Sequence, residues 1–457
     1  MKKINFIYLF VVLALFGTAC TDDFEEINTS PNSATDAPLN SLIIASQVSI
    51  MGVYESEDAR LASMWTRQFT GFERQYASYH VYSVTSEVFS FFNTYIGAIQ
   101  PALDAEVKAA EINNTKVVGM LKVMRAMTYG YMASLYGDIP MMEANSYPEI
   151  QNPAYQGQAA VYAAVQTMLD EGISDLAGAG GIPASADIFF GGDSDAWTEV
   201  AYSLKARYYL HTGQNAEAVA AAANGISSTT NDMLTVHGTS VSANQNSWYD
   251  FLVIQRDGYL RATDSYLAEL LDSTQVNYRG NAKTDEGERF NDIFVGTAGD
   301  YDLNIDSMFA ASASFPLVSF YETRLIAAEA LLNQNLTANQ AAALAELNAV
   351  RAAVESEFGG RYDAYVLADF AAGGIANNGG SPGASLLEEI LEEKYVSLVG
   401  QVEVFNDLRR LDNPLGLATT NGSRFPERFL YPTDEVNSND NVPNPLPGLF
   451  DPTPVNQ

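Results

Sequence analysis

Two adjacent pairs of carboxylates, Glu388-Glu389 and Glu392-Glu393, have a spacing that could do chemistry. Glycoside hydrolysis needs two acids on either side of a sugar, one to protonate the leaving oxygen and one to act as base or nucleophile. Here both pairs fall on one predicted helix with partners four residues apart, which predicts a solvated, capped face instead of a catalytic pair. Gly379-Gly380-Ser381-Pro382-Gly383 has the outline of a nucleophile elbow, whose serine must stand on a strained strand-to-helix turn. No strand pattern precedes it, and its Gly- and Asn-rich surroundings predict a flexible linker.

Asp300-x-Asp302-x-Asn304-x-Asp306 places oxygen ligands at alternate positions, as a calcium loop does. The match fails where the sharp turn needs Gly and the chain has Ile305, and where the closing bidentate acid would be Ala311. An irregular calcium site and an acidic solvated loop both remain open readings. His80, His211 and His237 are the chain's only histidines, and none is spaced with a second ligand as zinc requires. No catalytic set and no cofactor is expected, so the chain reads as a non-enzyme.

Charge narrows the partners. With 24 basic against 56 acidic residues, the formal net charge is −32. Phosphate backbones need clustered Lys and Arg, so nucleic acid is excluded, and an anionic membrane surface repels such a chain. Neutral or cationic ligands are the natural cargo.

The first residues supply another route to a membrane. Lys2 and Lys3 precede an apolar run from Ile4 to Phe16, followed by Gly17-Thr18-Ala19 and Cys20, which is the pattern of a secretory signal peptide over 1–19. The run is too short to span a bilayer. Cys20 is the single cysteine, so no intrachain disulfide can form. Its place resembles the lipobox of bacterial lipoproteins, although Gly17 stands where Leu is usual; the alternative is an ordinary signal peptide that ends near a cysteine. Lipidation of Cys20 would make 20–37 a tether. Asp22, Asp23, Glu25 and Glu26 keep it solvated, and it resembles the surface-export signal of Bacteroidetes lipoproteins, or else is a charged linker with no address.

The elements behind these residues are mostly helical. Val117, Leu121, Met124, Thr128, Tyr131 and Leu135 recur on one face, as do Leu387, Leu391, Tyr395, Leu398 and Val402. Thr337-x-x-Gln340 and Ser385-x-x-Glu388 have the form of capping boxes. Helices are predicted near 40–53, 57–70, 86–111, 115–136, 156–177, 194–212, 215–226, 263–272, 317–334, 338–356, 385–400 and 402–411. The pairs at 86–136, 156–212 and 317–356 have the lengths of tetratricopeptide-like hairpins. The helical period is lost over 227–262 and 273–316, and irregular stretches of that length in a compact domain are usually functional. The Pro- and Asn-rich tail from Asn413 should wrap the surface as extended chain. The expectation is one mostly-α domain over 38–457, tetratricopeptide-like hairpins packed with an irregular ligand-binding region.

Four stretches together resemble the SusD/RagB family of nutrient-binding outer-membrane lipoproteins, its SusD-like branch in particular. They are Leu135-Tyr136-Gly137-Asp138-Ile139-Pro140; Tyr321-Glu322-Thr323-Arg324-Leu325-Ile326-Ala327-Ala328-Glu329-Ala330 leading to Leu347-Asn348-Ala349-Val350-Arg351; Glu389-Ile390-Leu391-Glu392-Glu393-Lys394-Tyr395 continuing to Phe405-Asn406-Asp407-Leu408-Arg409-Arg410; and Arg424-Phe425-Pro426-Glu427-Arg428-Phe429-Leu430-Tyr431-Pro432. The resemblance implies a surface-exposed outer-membrane lipoprotein held only by its lipid. Such a protein binds glycan or peptide without breaking bonds and caps a SusC-like TonB-dependent transporter. Oligosaccharide binding is the leading expectation; a peptide-binding or purely gating lid is the alternative.

The resemblance fixes no binding residues, so chemistry must pick them. Sugars present flat C–H faces that stack on aromatic rings, and hydroxyls that bond to amides, carboxylates and guanidinium groups. Trp248, Tyr249, Asp250 and Phe251 with Arg256, Tyr259 and Arg261 offer both in an irregular region. Arg74, Tyr76, Tyr79 and Tyr82, between predicted helices, are a second candidate cluster.

Overall fold

Helix caps set where the chain turns. The computed structural model describes residues 37–457 except Tyr147 and Ser242, so the expected signal peptide, Cys20 and nearly all of the tether lie outside the described residues. Ser56 caps α2 (Glu57–Trp65), which follows α1 (Leu39–Tyr54), and α3 (Arg74–His80) comes after a short strand. A π-helical segment, Asn93–Ile99, runs into α4 (Gln100–Glu111), and Asn114 caps α5 (Thr115–Tyr136). Next come α6 (Gln158–Leu176), α7 (Ser194–His211) capped by Asp193, and α8 (Asn215–Ala222).

The second half has a helical turn, Ser247–Tyr249, continuing as the π-helix Asp250–Gln255, then α9 (Tyr266–Leu271) and α10 (Gly287–Ile293). The last helices are α11 (Phe320–Gln334), α12 (Gln340–Phe358), α13 (Pro382–Ser397), α14 (Glu403–Arg410) and α15 (Thr433–Ser438). Strands are two to four residues long and pair two by two, all antiparallel. The chain is thus mostly α, as the apolar spacing predicts.

The expected hairpins α4–α5, α6–α7 and α11–α12 all pack as pairs, and α5 lies against α6 as well. At that contact Gly119 faces Gly172: a Cβ on Gly119 would stand 2.6 Å from the Gly172 carbonyl, so only glycine lets the two backbones approach. α5 is buried almost all round from Val117 to Tyr136, because helices and the C-terminal tail cover every side. The tail wraps as expected: Phe429 N donates to Leu135 O at 2.9 Å and the Tyr431 hydroxyl to Asp138 O at 2.8 Å.

Several sequence expectations need correction. Neither capping box forms: α12 begins at Gln340 after Asn339, while Ser381 caps α13 and Ser385 lies inside the helix, bonded to Asn378. Gly379–Gly383 is therefore a helix start. The Glu388–Glu393 face is not solvated as a whole. Glu388 is exposed, but Glu393 is fully buried and Glu389 and Glu392 are 13% and 20% exposed, all three meeting Arg279. Arg279 reaches this face from a loop more than a hundred residues upstream, so helical spacing could not foresee it. The segment Asp300–Leu303 is a strand paired with Phe294–Thr297, and Asn304 turns back on Asp306 N and Asn291 O. No cluster of three metal-ligating side chains occurs among the described residues.

Candidate functional site

The two aromatic clusters picked from the sequence meet. Thr70 and Gly71 pair with Arg261 and Leu260, and a Cβ on Gly71 would collide with the Tyr76 carbonyl, so glycine lets the strand and α3 close on each other. Asn246 caps the turn at 247–249 through Trp248 N (2.8 Å) and Tyr249 N (3.3 Å). That turn launches the π-helix that carries Phe251 onto Tyr76, with ring centroids 4.9 Å apart. Tyr259 stands 6.0 Å from Tyr76, and Tyr79 5.6 Å from it.

Charged groups frame this aromatic strip. Arg60 donates to the Tyr76 hydroxyl at 2.8 Å and to Glu57 at 3.1 Å, and its guanidinium lies 4.3 Å from the Phe251 ring centre. The Tyr76 hydroxyl in turn donates to Glu57 at 2.5 Å. Burial first, and then Glu57, push the Tyr76 phenol far above its ordinary value, so it stays protonated as a donor. Arg261 covers Phe72 at 4.6 Å, and Arg256 lies 5.8 Å from the Tyr259 ring centre.

Beside the strip opens a polar cavity of about 420 Å³, lined by Gly52, Glu55, Ser56, Arg60, Gln245, Ser247, Asp250, Phe251 and Gln255. Buried Glu55 accepts from Thr235 (2.8 Å) and His237 (2.9 Å). Asp250 takes one bond from Gln255 on Oδ2, while its Oδ1 is out of solvent with no protein donor. An acceptor in that state costs free energy until a donor reaches it.

The expected residues divide by exposure. Arg74 and Arg256 are exposed, and Tyr79, Tyr249, Asp250, Tyr259 and Arg261 are half-buried at the strip or its edge. Trp248, Tyr76 and Tyr82 are core residues, which corrects the expectation that they meet a ligand directly. Trp248 is 0% exposed, packed on Phe69, Phe309 and Phe315. Tyr76 is 1% exposed, and Tyr82 is buried with its hydroxyl accepting from Thr420 N. All three tryptophans of the chain are fully buried, so ring faces for a ligand must come from Tyr and Phe.

Sequence reasoning missed Phe72, which is 46% exposed, together with Arg60, Glu57 and the Glu55–His237 pair. Arg60 follows Glu57 by three residues on a predicted helix, a local cue that was there to use. Glu55 and His237 lie 182 residues apart, and no pattern along the chain joins them.

A scaffold of α-hairpins carrying a loop-built half, with half-exposed rings beside a polar cavity, defines the class of helical binding scaffolds. The family can be stated more narrowly. The chain belongs to the SusD-like family, since the family model described as "Starch-binding associating with outer membrane" matches residues 31–432. No curated protein sequence matches the chain. Among solved structures, a SusD/RagB family protein from Bacteroides thetaiotaomicron superposes with a TM-score of 0.67 at 19% identity, covering 89% of this chain and 95% of that one. A chitin-binding protein gives 0.67 at 18% identity over 88% and 94%, and a chitin-binding SusD homolog from Flavobacterium johnsoniae 0.63 at 14% over 88% and 92%. At these identities the likeness shows the fold. No described helix is long and apolar enough to cross a membrane.

Proposed function

We propose that this protein is an outer-membrane lipoprotein, anchored through Cys20, that binds neutral oligosaccharide at the aromatic strip and hands it to a SusC-like TonB-dependent transporter. The observation that carries the reading is the union of two distant segments into one strip, Tyr79, Phe251 and Tyr259 around Tyr76, beside a cavity with an unanswered acceptor on Asp250. Sugar C–H faces suit the half-exposed rings of Tyr79 and Tyr259, which buried Phe251 and Tyr76 hold in place, and a sugar hydroxyl is the donor Asp250 lacks. The family match and the chitin-binding neighbours support glycan as the ligand class, and the lipobox-like N-terminus and acidic tether support surface anchoring. The protein holds its ligand without breaking bonds.

A second reading rests on Phe72 and Ile254, each 46% exposed at the same strip. Apolar side chains so placed also fit a peptide or the transporter rim, which would make the protein a gating lid without glycan affinity.

Calorimetry of residues 21–457 against malto- and chito-oligosaccharides separates the two. Heat with the wild type that disappears in a Tyr79→Ala/Tyr259→Ala variant is the expected result. Silence with both sugar series, together with a melting shift by a peptide mixture, would replace the glycan reading with the second. Trp248→Ala is unsuitable as a control, because it empties a core position.

A further inference from the structure

A larger cavity, of about 770 Å³, lies away from the strip, where the start of α11 and the ends of α12 and α13 meet the segments 227–234 and 307–316. That volume is in the range of about 300–1,000 Å³ found for small-molecule sites. It shares no lining residue with the cavity at Asp250. Trp248, Phe309 and Phe315 pack together and line neither cavity, and Asn246 Nδ2 donates to Ala313 O at 2.8 Å.

The lining has one chemistry. Phe320, Phe358, Met308 and Val399 form apolar wall, and Ser228, Thr229, Ser314, Ser356 and Tyr321 bring hydroxyls. The three carboxylates present are already answered by the chain. Asp232 Oδ1 accepts from Phe320 N at 2.6 Å, Asp292 from the Ser307 hydroxyl, and Glu357 from the Tyr321 hydroxyl. Burial raises the Asp232 carboxyl to about 8, so it is mostly protonated near neutral pH. Arg289 is held by Glu393 at 2.7 Å, which offsets its charge. Asp292 and Glu357 receive only neutral hydroxyls, so the charge left on the lining is negative and turns anions away, while hydroxyls beside ring faces suit neutral polyhydroxylated molecules.

We infer that this cavity is a second ligand site, separate from the aromatic strip, that takes a short neutral saccharide or the end of a longer one. The inference rests on the preceding reading for the ligand class alone; its location and lining are independent of it. Phe320 and Tyr321 meet edge to face at 6.2 Å and 62°, so a sugar ring stacks on one while its hydroxyls reach the Tyr321–Glu357 pair. Exposed Ser314 and Ser356 contribute to its surface, where a larger side chain can be placed without disturbing the core.

Hydrogen–deuterium exchange of the mature full chain, with maltotriose and with triacetylchitotriose at saturation, tests it. The expected result is slowed exchange over 227–234, 307–316 and 353–358 with at least one sugar. Ser314→Trp should abolish it, and Tyr259→Ala, which acts at the strip, should leave it intact. Tyr321→Phe, which keeps the ring and removes one hydroxyl, should weaken binding about tenfold. Protection confined to 72–82 and 249–261 would overturn the second site and leave the strip reading standing. Protection at the second cavity alone supports this inference and removes the strip reading. Silence at both with both sugars overturns both, and so does protection that Ser314→Trp leaves unchanged for this inference alone.

Discussion

Arg279 and Arg60 are the same side chain under opposite demands. Arg279, 3% exposed, spends every nitrogen on the chain itself: Nη1 on Glu286 (2.8 Å) and Glu393 (2.7 Å), Nη2 on Glu389 (2.9 Å), Nε on Glu392 (2.8 Å). Burial alone would weaken its hold on the proton, but the four carboxylates outweigh burial and keep it charged. Arg60 donates to Glu57, the Tyr76 hydroxyl and the Glu55 carbonyl (3.3 Å), lies under Phe251, and lines a cavity in which Asp250 has an acceptor left over. A saturated cluster fixes the fold and has nothing left for a ligand. Arg60's surroundings differ, because the cavity it lines keeps an unanswered acceptor on Asp250, and that is where recognition can happen.

The sharpest way to break this contrast is Arg279→Ala. It leaves Glu286 and Glu393, both fully buried, with Arg289 as their remaining cation. Removing one partner of a buried ion pair costs about 3–5 kcal/mol, and urea unfolding should show a loss of that order. Sugar affinity at the strip, per folded molecule, should not move. A loss below about 1 kcal/mol would mean that the Glu389–Glu393 face is in effect solvated, as exposed pairs are.

The strip should show the inverse pattern. Tyr79→Ala and Tyr259→Ala each remove one half-exposed ring face, worth about 0.5–1.5 kcal/mol beyond buried area, so affinity should fall about tenfold per substitution. Unfolding midpoints should stay close to wild type. Calorimetry and urea melts on the same samples check both halves of the statement, and equal losses in stability would move the strip into the core category with Trp248.

A smaller effect comes from Asp58, where the strip's helix α2 meets the hairpin helix α5. The Tyr131 hydroxyl donates to it at 3.2 Å, and burial, opposed by that bond, raises its carboxyl to about 7. The unfolded chain ionises near 4, so this group's contribution is fully present below that value and is lost as pH rises through about 7. Stability should therefore decline between about pH 4 and 7 by at most about 1.4 kcal/mol per unit from this residue, and level off above. Asp58→Asn should flatten that part of the profile, measured by unfolding at stepped pH. An unchanged slope would mean solvent screens the site.

These contrasts explain what was legible in the sequence. Apolar spacing found α5 to the residue and the three hairpins, because a long helix repeats its signal over many turns. It missed α3 and α10, each seven residues long, and the π-helix at 250–255, where too few turns exist for a period to register. Chemistry named most of the strip, since Tyr with Arg in an irregular stretch is visible locally. Burial was not visible: Trp248 and Tyr249 are neighbours of similar type, and only packing from Phe69, Phe309 and Phe315 puts one inside. Nor was Arg279 legible, for its four acids come from two elements that meet only in three dimensions.

Ser381 gives the smallest test, and it separates two meanings of one motif. In a nucleophile elbow the hydroxyl would stand free for attack; here it accepts from Ala384 N at 3.3 Å with Pro382 behind it as the first helical residue. α13 carries Glu389, Glu392 and Glu393 into the Arg279 cluster, so fraying its start works against the saturated side of the contrast. Ser381→Ala should cost about 1 kcal/mol, the usual worth of a lost cap, and Ser381→Gly only a few tenths. Because the acids sit two or more turns further on, the loss should not propagate to them, and Arg279→Ala on top of Ser381→Ala should be additive within about 0.5 kcal/mol. A larger coupling, read from the double-mutant cycle in urea, would mean that the helix start and the ion cluster fold as one unit.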